Sequence, residues 1–332
     1  AQDPPTEDPS ETVRDTDPAE QAVADPVAEE TPIDIVVTGT RGGEEMSVTK
    51  ATSVFAWEDD RGTYAAAFRA AEKQLAPGSA KPLAQRHGDR VVVQWPPAEA
   101  MPQQDLDALY ELPFRRAWHP SYDAAGGVPA LETVRTSITA HRGCCGDCSF
   151  CAITSHQGRI VRSRSEQSIL AEAGRIAADP DFKGTITDVG GPTANLYGAR
   201  CKRWDQGKFC NDKHCLLPER CEHLELGYDA SIRLYRKVAE VPGVKHVFLG
   251  SGLRFDLLTR DSDRRYLEQI AAHQVSGLLK VAPEHCDDRV LGLMVKPRFR
   301  VYEDFVERFR AASKKAGKKQ YLSLIHIRRC RR

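Results

Sequence analysis

From residue 133 onward the chain alternates extended and helical stretches, and that alternation limits its fold more than any other feature. TVRTSITA (133–140), GTITDVGG (184–191), VKHVFLGSG (244–252) and GLLKVAP (277–283) read as strands. Between and after them, residues 163–179, 230–241, 263–274 and 301–317 carry apolar side chains at helical spacing. Ser163 and Glu166 have the spacing of a capping box, which predicts where the first of these helices opens. Strands that alternate with helices pair in parallel through right-handed crossovers. The repeat length predicts an open or closed α/β barrel, in which functional groups collect at the C-terminal ends of strands. Each distinctive motif of this chain follows a strand.

The flanking regions read differently. Residues 1–34 hold eleven acidic side chains and one basic one. Such a segment buries too little apolar surface to offset its ordering entropy, so residues 1–57 are expected to be a largely disordered leader. Within it, IDIVVTGTRGG predicts a short strand and a glycine turn. Residues 58–130 read as an N-terminal extension packed on the barrel. They contain a helix in TYAAAFRAAEKQL, a strand in DRVVVQWPP, and an aromatic, proline-rich connector, DALYELPFRRAWHPSYD. At the other end, LSLIHIRRCRR resembles translated sequencing-adaptor read-through. Residues 323–332 are therefore read as a non-native tail, Cys330 is given no role, and the α/β barrel of residues 131–322 is expected to be truncated at its C-terminal end.

Lysine plus arginine equals aspartate plus glutamate, at 47 each, so net charge gives no argument for a nucleic-acid or membrane surface. No apolar run reaches the roughly 18 residues of a spanning helix, and the chain is expected to be soluble and cytoplasmic. Eight of its ten cysteines fall in two groups: Cys144, Cys145, Cys148 and Cys151, then Cys201, Cys210, Cys215 and Cys221. Tight clusters in a long α/β chain point to metal ligation in a reducing compartment rather than to a secreted disulfide framework.

In RGCCGDCSFCAITSHQGRI the first group gives C-x3-C-x2-C through Cys144, Cys148 and Cys151, leaving Cys145 as a bystander. A redox pair of Cys148 and Cys151 would leave two cysteines without a role. Zinc would need a fourth ligand, such as His141 or His156. A cubane Fe–S cluster on three thiolates would keep one iron open.

This spacing, with Phe150 before the last cysteine, resembles the cluster loop of the radical S-adenosylmethionine (SAM) superfamily. SAKPLAQRHGDR, YELPFRRAWHPSY, HRGCCGDCSFCAITSHQGRIVRSRSEQSI, DVGGPTANLYG and LKVAPEH together resemble the YgiQ-type radical SAM proteins over about residues 60–322. The resemblance implies a partial (β/α) barrel and a [4Fe–4S] cluster on Cys144, Cys148 and Cys151 whose open iron chelates SAM. It also implies reductive cleavage to methionine and a 5′-deoxyadenosyl radical, with electrons from a reductant such as flavodoxin or ferredoxin. No substrate is implied. Gly190 and Gly191 stand where the superfamily's glycine-rich motif meets the SAM amino group, although Pro192 replaces the usual acidic residue. Ser251 and Arg254 are candidates for the ribose and carboxylate, Arg254 by a bidentate contact. An ion pair with Asp256 is an equal reading of Arg254. Lys280, Glu284 and His285 lie at the next strand end, as SAM contacts or as a structural ion network. His141, Arg142, His156 and Arg159 flank the loop as candidate donors to cluster sulfurs.

The second group, Cys201-x8-Cys210-x4-Cys215-x5-Cys221, can close a zinc site or hold an auxiliary Fe–S cluster, with His214 as a substitute ligand. Its polar surroundings suggest that metal orders the 201–221 insertion. Lys202, Arg203, Lys208 and Lys213 give a weak case for RNA, because Asp205, Asp212 and Glu219 lie among them. The rival to a radical SAM enzyme is an Fe–S electron-transfer or zinc-stabilised nucleic-acid-binding module that does not cleave SAM.

Overall fold

The computed structural model describes residues 37–41, 44–48, 61–75, 80–87, 90–206, 210 and 214–324. The acidic segment before residue 37 and residues 325–332, with Cys330, lie outside the described residues. Six short strands organise the chain from residue 137 onward: β1 (Ser137–Thr139), β2 (Thr185–Ile186), β3 (Asp188–Gly190), β4 (His246–Val247), β5 (Leu278–Val281) and β6 (Tyr321–Leu324). β1 pairs with β3, β2 with β4 and β5 with β6, all in parallel. Leu253, beyond β4, forms a parallel bridge to Val281, which brings the β4 segment beside β5. β2 and β3 are one extended stretch interrupted at Thr187, so neighbours in space follow chain order. Parallel neighbours need a crossover, and helices α1 (Glu166–Ala177), α2 (Tyr228–Ala239), α3 (Arg264–Gln269) and α4 (Phe299–Lys315) supply it.

The strands are shorter than the apolar runs suggest. After Val247 the chain leaves the ladder: Phe248 N–H still donates to Ile186 O at 2.9 Å, but Leu249 N–H turns to Gln274 O at 3.0 Å. The capping box also lies elsewhere. Ser165 caps α1 by accepting from Ser168 N–H at 3.1 Å. Ser163 is held in a strand pair opposite His141, and its hydroxyl accepts from Gly198 N–H at 2.8 Å. The 263–274 helix is likewise divided, with α3 passing into a wider π turn over Ile270–Gln274.

Helical spacing places Ile169, Ala173 and Ile176 of α1 on one face, with Ile232, Tyr235 and Val238 of α2 and Tyr302, Phe305 and Phe309 of α4 on theirs. These faces close on Ile138, Ile186, Val189, Val247, Leu279 and Val281 from the strands, making one continuous core.

The extension contributes helix Arg61–Lys73, an antiparallel hairpin of Leu83–His87 with Arg90–Gln94, and helix Gln103–Glu111. Its later part is strapped to β1 and α1. Arg116 donates to Arg135 O at 2.7 Å and Ser137 O at 2.9 Å. Asp107 accepts from Ser165 N–H at 3.0 Å. The fully buried Arg164 lies 4.0 Å from the Tyr110 ring and forms an ion pair with Glu172. Upstream, Val37–Arg41 and Glu44–Val48 pair antiparallel, giving a hairpin where the sequence suggested one strand and a turn. No helix among the described residues is long and apolar enough to cross a membrane.

Phe305 is fully buried between α4 and the strands. Phe305→Ala is expected to lower the unfolding free energy by about 3–5 kcal/mol, read from the midpoint of a chemical denaturation curve.

Candidate functional site

The cysteine loop leaves the end of β1 through a narrow neck. His141–Arg142 pairs antiparallel with Arg162–Ser163, and Cys144 N–H donates to Gly158 O at 3.1 Å. Gly143 sits in this neck with φ +81°, and a Cβ there would lie 2.2 Å from Ile160 O. Only glycine fits both conditions. At the loop's far side Asp147, also at positive φ, is paired with Arg159 and accepts from His214 Nδ1 at 2.6 Å. The tip is tied to a distant segment: Ser149 Oγ donates to Leu293 O at 2.8 Å and Ser149 N–H to Met294 O at 3.2 Å.

Cys144, Cys148 and Cys151 are each partly covered. Cys144 Sγ accepts from Gly146 N–H at 3.4 Å. Burial pushes its thiol pKa up; Arg254 opposes this, while Cys148 and Cys151 lie near enough to add to it. Arg254 comes from the turn beyond β4. Its fork is occupied by Asp256, with Nε to Oδ1 at 3.0 Å and Nη2 to Oδ2 at 2.7 Å, and its remaining nitrogen, Nη1, lies 3.5 Å from Cys148 Sγ. The ion pair considered from the sequence is therefore present, and the bidentate face proposed for a ligand carboxylate is already filled. Burial works against the Arg254 charge, and Asp256 with the neighbouring thiols more than offsets it, raising its pKa. A Cβ on Gly146 would lie 2.1 Å from Arg254 Nη1, so the missing side chain makes room for the guanidinium.

The turn at Gly190 and Gly191 closes the next side. A Cβ on Gly190 would meet Ser251 Oγ at 2.7 Å and the Asp188 carboxylate at 2.8 Å. Asp188 accepts from Gly250 N–H at 2.9 Å, from Ser251 N–H at 3.1 Å and from the Ser251 hydroxyl. Burial raises the Asp188 pKa, and these donors together with Lys280 oppose the shift. A Cβ on Gly191 would lie 2.6 Å from the His141 ring. His141 is fully buried, with neither ring nitrogen in a formed hydrogen bond. Burial pushes its pKa down to about 4, and the Thr193 backbone opposes the shift. Asn195 joins the two turns, donating to Arg254 O at 2.9 Å and accepting from Arg254 N–H at 3.0 Å.

The structure thus brings together the cysteine loop, Gly190, Gly191, Ser251 and Arg254, with Lys280 close enough to act on Asp188. Glu284, at φ +70°, faces Lys296 at 3.7 Å in a covered ion pair, the structural form of the two readings. His156 and Arg142 are exposed, and Arg159 serves Asp147. Among the described residues no three Cys, His, Asp or Glu side chains converge where a metal ion could sit. The donors nonetheless suit an iron–sulfur centre: three neighbouring thiols are soft ligands, the adjacent guanidinium balances their charge, and His141 keeps unsatisfied nitrogens under the glycine turn.

The second cysteine group is divided. Cys201, Cys215 and Cys221 pack with Trp204, Leu216, Leu224 and Leu257, while Cys210 accepts from Arg203 Nη1 at 2.8 Å. The few apolar side chains of the insertion pack against Cys145, Ile160, Val161, Leu196 and Leu257 from outside it, a shared core that its polar composition did not suggest. Cys145, outside the C-x3-C-x2-C set, belongs to that core, and its thiol hydrogen-bonds to Cys215, lowering the Cys215 pKa and linking the two groups. Asp188, Asn195 and Cys145 were not singled out for these roles. The aspartate two residues before the glycine pair carried a signal, and Asn195 carried none.

Comparison with known proteins agrees with this geometry. The model described as "Radical SAM superfamily" matches residues 138–326, and that described as "Radical SAM N-terminal" matches residues 17–137. This chain belongs to the radical SAM superfamily. Similar curated relatives include a UPF0313 protein of Methanosarcina mazei, 46% identical over 79% of this chain and 41% of its own length. Another, from Geobacter sulfurreducens, is 48% identical over 79% of this chain and 43% of its own. The chain therefore spans about two fifths of the relatives it matches, and the YgiQ-type resemblance agrees with them. A solved structure of the radical SAM methyltransferase TsrM from Kitasatospora setae is 16% identical, covers 73% of this chain and 40% of that one, and superposes with a TM-score of 0.40.

The unfolded chain takes a proton on His141 near pH 6.5, which the folded chain resists until about pH 4. Stability from this group is full above pH 6.5 and lost as pH falls through that window. Between pH 7 and pH 4 the chain is expected to lose about 3 kcal/mol more unfolding free energy than its His141→Gln variant, measured by denaturant titration at both values.

Proposed function

We propose that this chain carries the cofactor-binding part of a radical SAM enzyme that cleaves SAM reductively. The observation that carries this reading is the meeting, at one edge of the parallel strands, of the 144–151 cysteine loop with the turns at Gly190 and Gly191 and at residues 250–256. Cys144, Cys148 and Cys151 would hold a [4Fe–4S] cluster. When bound, that cluster supplies one electron to SAM, giving methionine and a 5′-deoxyadenosyl radical. Gly190 and Gly191 let the Ser251 hydroxyl, the Asp188 carboxylate and the His141 ring pack directly against the turn beside the loop. Asp188 holds Ser251 and its amide in place, and Lys280 adds positive charge nearby. The strand order supports a partial (β/α) barrel as the frame, running from residue 131 through β6, whose last two residues, Ser323 and Leu324, pair with β5 although the sequence reading put them in the tail.

The reductant is proposed to be a flavodoxin or ferredoxin. The outer face of the loop, with Cys148, Phe150 and Cys151, borders a cleft of about 780 Å³ shared with helix Arg61–Lys73, through which an electron carrier can approach. We extend the proposal to a second metal, zinc or an auxiliary Fe–S cluster, on Cys201, Cys210, Cys215 and Cys221. Three of these, Cys201 and Cys215 buried and Cys221 partly so, lie in one apolar cluster, which keeps their thiols in one region of the fold.

The test uses the anaerobically reconstituted chain with SAM and dithionite. 5′-Deoxyadenosine is expected, falling at least about 100-fold in Cys148→Ala. A loaded cluster that yields none would favour the electron-transfer alternative. Metal analysis of the same samples is expected to find metal beyond four irons per chain, and to lose that excess in a Cys215→Ala, Cys221→Ala double variant.

A further inference from the structure

We propose that Arg254 is a positioning residue that sets the electron affinity of the centre held by the cysteine loop, rather than a clamp for the cofactor carboxylate. The inference rests on the reading that Cys144, Cys148 and Cys151 carry a cluster, and deepens it. Three observations support the assignment. The guanidinium cannot offer its fork to a ligand, because Asp256 already takes Nε and Nη2 at 3.0 and 2.7 Å. The nitrogen left over lies 3.5 Å from Cys148 Sγ, and the space it occupies exists because residue 146 lacks a Cβ. The residue is fixed from the other side as well, through two backbone hydrogen bonds to Asn195.

Arg254 is nearly inaccessible to water, with 8% of its surface exposed. A guanidinium stays protonated in such a place, and its field is weakly screened. Positive charge and N–H donors aimed at ligating sulfurs favour the reduced, more negative state of a cluster. Asp256 sits behind the guanidinium and partly cancels that field. The two side chains therefore act on the centre with opposite signs, a signature that packing alone does not produce.

The experiment is an EPR-monitored redox titration of the anaerobically reconstituted chain without SAM, comparing wild type, Arg254→Gln and Asp256→Asn, with SAM affinity measured separately by calorimetry. At the poise where wild type is half reduced, Arg254→Gln is expected to show about a tenfold lower reduced-to-oxidised ratio, a shift of about 59 mV for a one-electron couple. Asp256→Asn is expected to shift the ratio the other way. Potentials that move in the same direction, or that stay in place, would overturn the proposal. So would an Arg254→Gln variant of unchanged potential that binds SAM more weakly, which would make Arg254 a cofactor contact. Should Arg254→Gln fail to fold or to load, Arg254→Lys replaces it, with the same direction expected and a smaller size. A wild-type chain that takes up no cluster would overturn the underlying reading and this inference together.

Discussion

A partly buried carboxylate holds the strand-end loops in register. Asp188 opens β3 and accepts from three donors of Gly250 and Ser251, two of them the backbone and side-chain groups of the same serine. Burial alone would favour its protonated form, so these hydrogen bonds are what make a charged group tolerable there. The position of the 250–256 turn depends on it, and Asn195 then carries that position on to Arg254. The surroundings of the cysteine loop are thus fixed from residues far from it in sequence.

Glycine does related work at three places in this edge. Gly143 allows the neck to close on Ile160, Gly146 admits the Arg254 guanidinium, and Gly191 lets the His141 ring lie against the backbone. Each would be an ordinary turn residue in isolation. What distinguishes them is the neighbour that a Cβ would strike, and that neighbour is backbone or a covered side chain in every case. The site is built by close approach as much as by its polar groups.

The sequence made the helices and the cysteine loop legible because both are written locally, one in period and one in spacing. The strands were less so. An apolar run such as VKHVFLGSG marks burial, and burial extends past Val247 although the ladder does not. Ser163 had the spacing of a cap, but its pairing opposite His141 engaged it elsewhere, a tertiary choice that no local pattern records. Composition misled at the 201–221 insertion, where Trp204 and Leu216 join a core whose other members, among them Cys145, Ile160, Val161, Leu196, Leu224 and Leu257, come from outside it. The contact of Cys145 is equally hidden from local pattern, because its partner, Cys215, is 70 residues away.

The tie from Ser149 to residues 293 and 294 has a consequence for how the molecule comes into being. A contact across 144 residues forms late, since the loop-closure entropy of the intervening chain must be met first. During synthesis from the N-terminus, the cysteines emerge well before the segment that fastens them. Through that interval the thiols sit in a loop closed at its neck but open at its tip, accessible to whatever delivers iron and sulfide. Fastening of the tip waits on the arrival of residues 293 and 294.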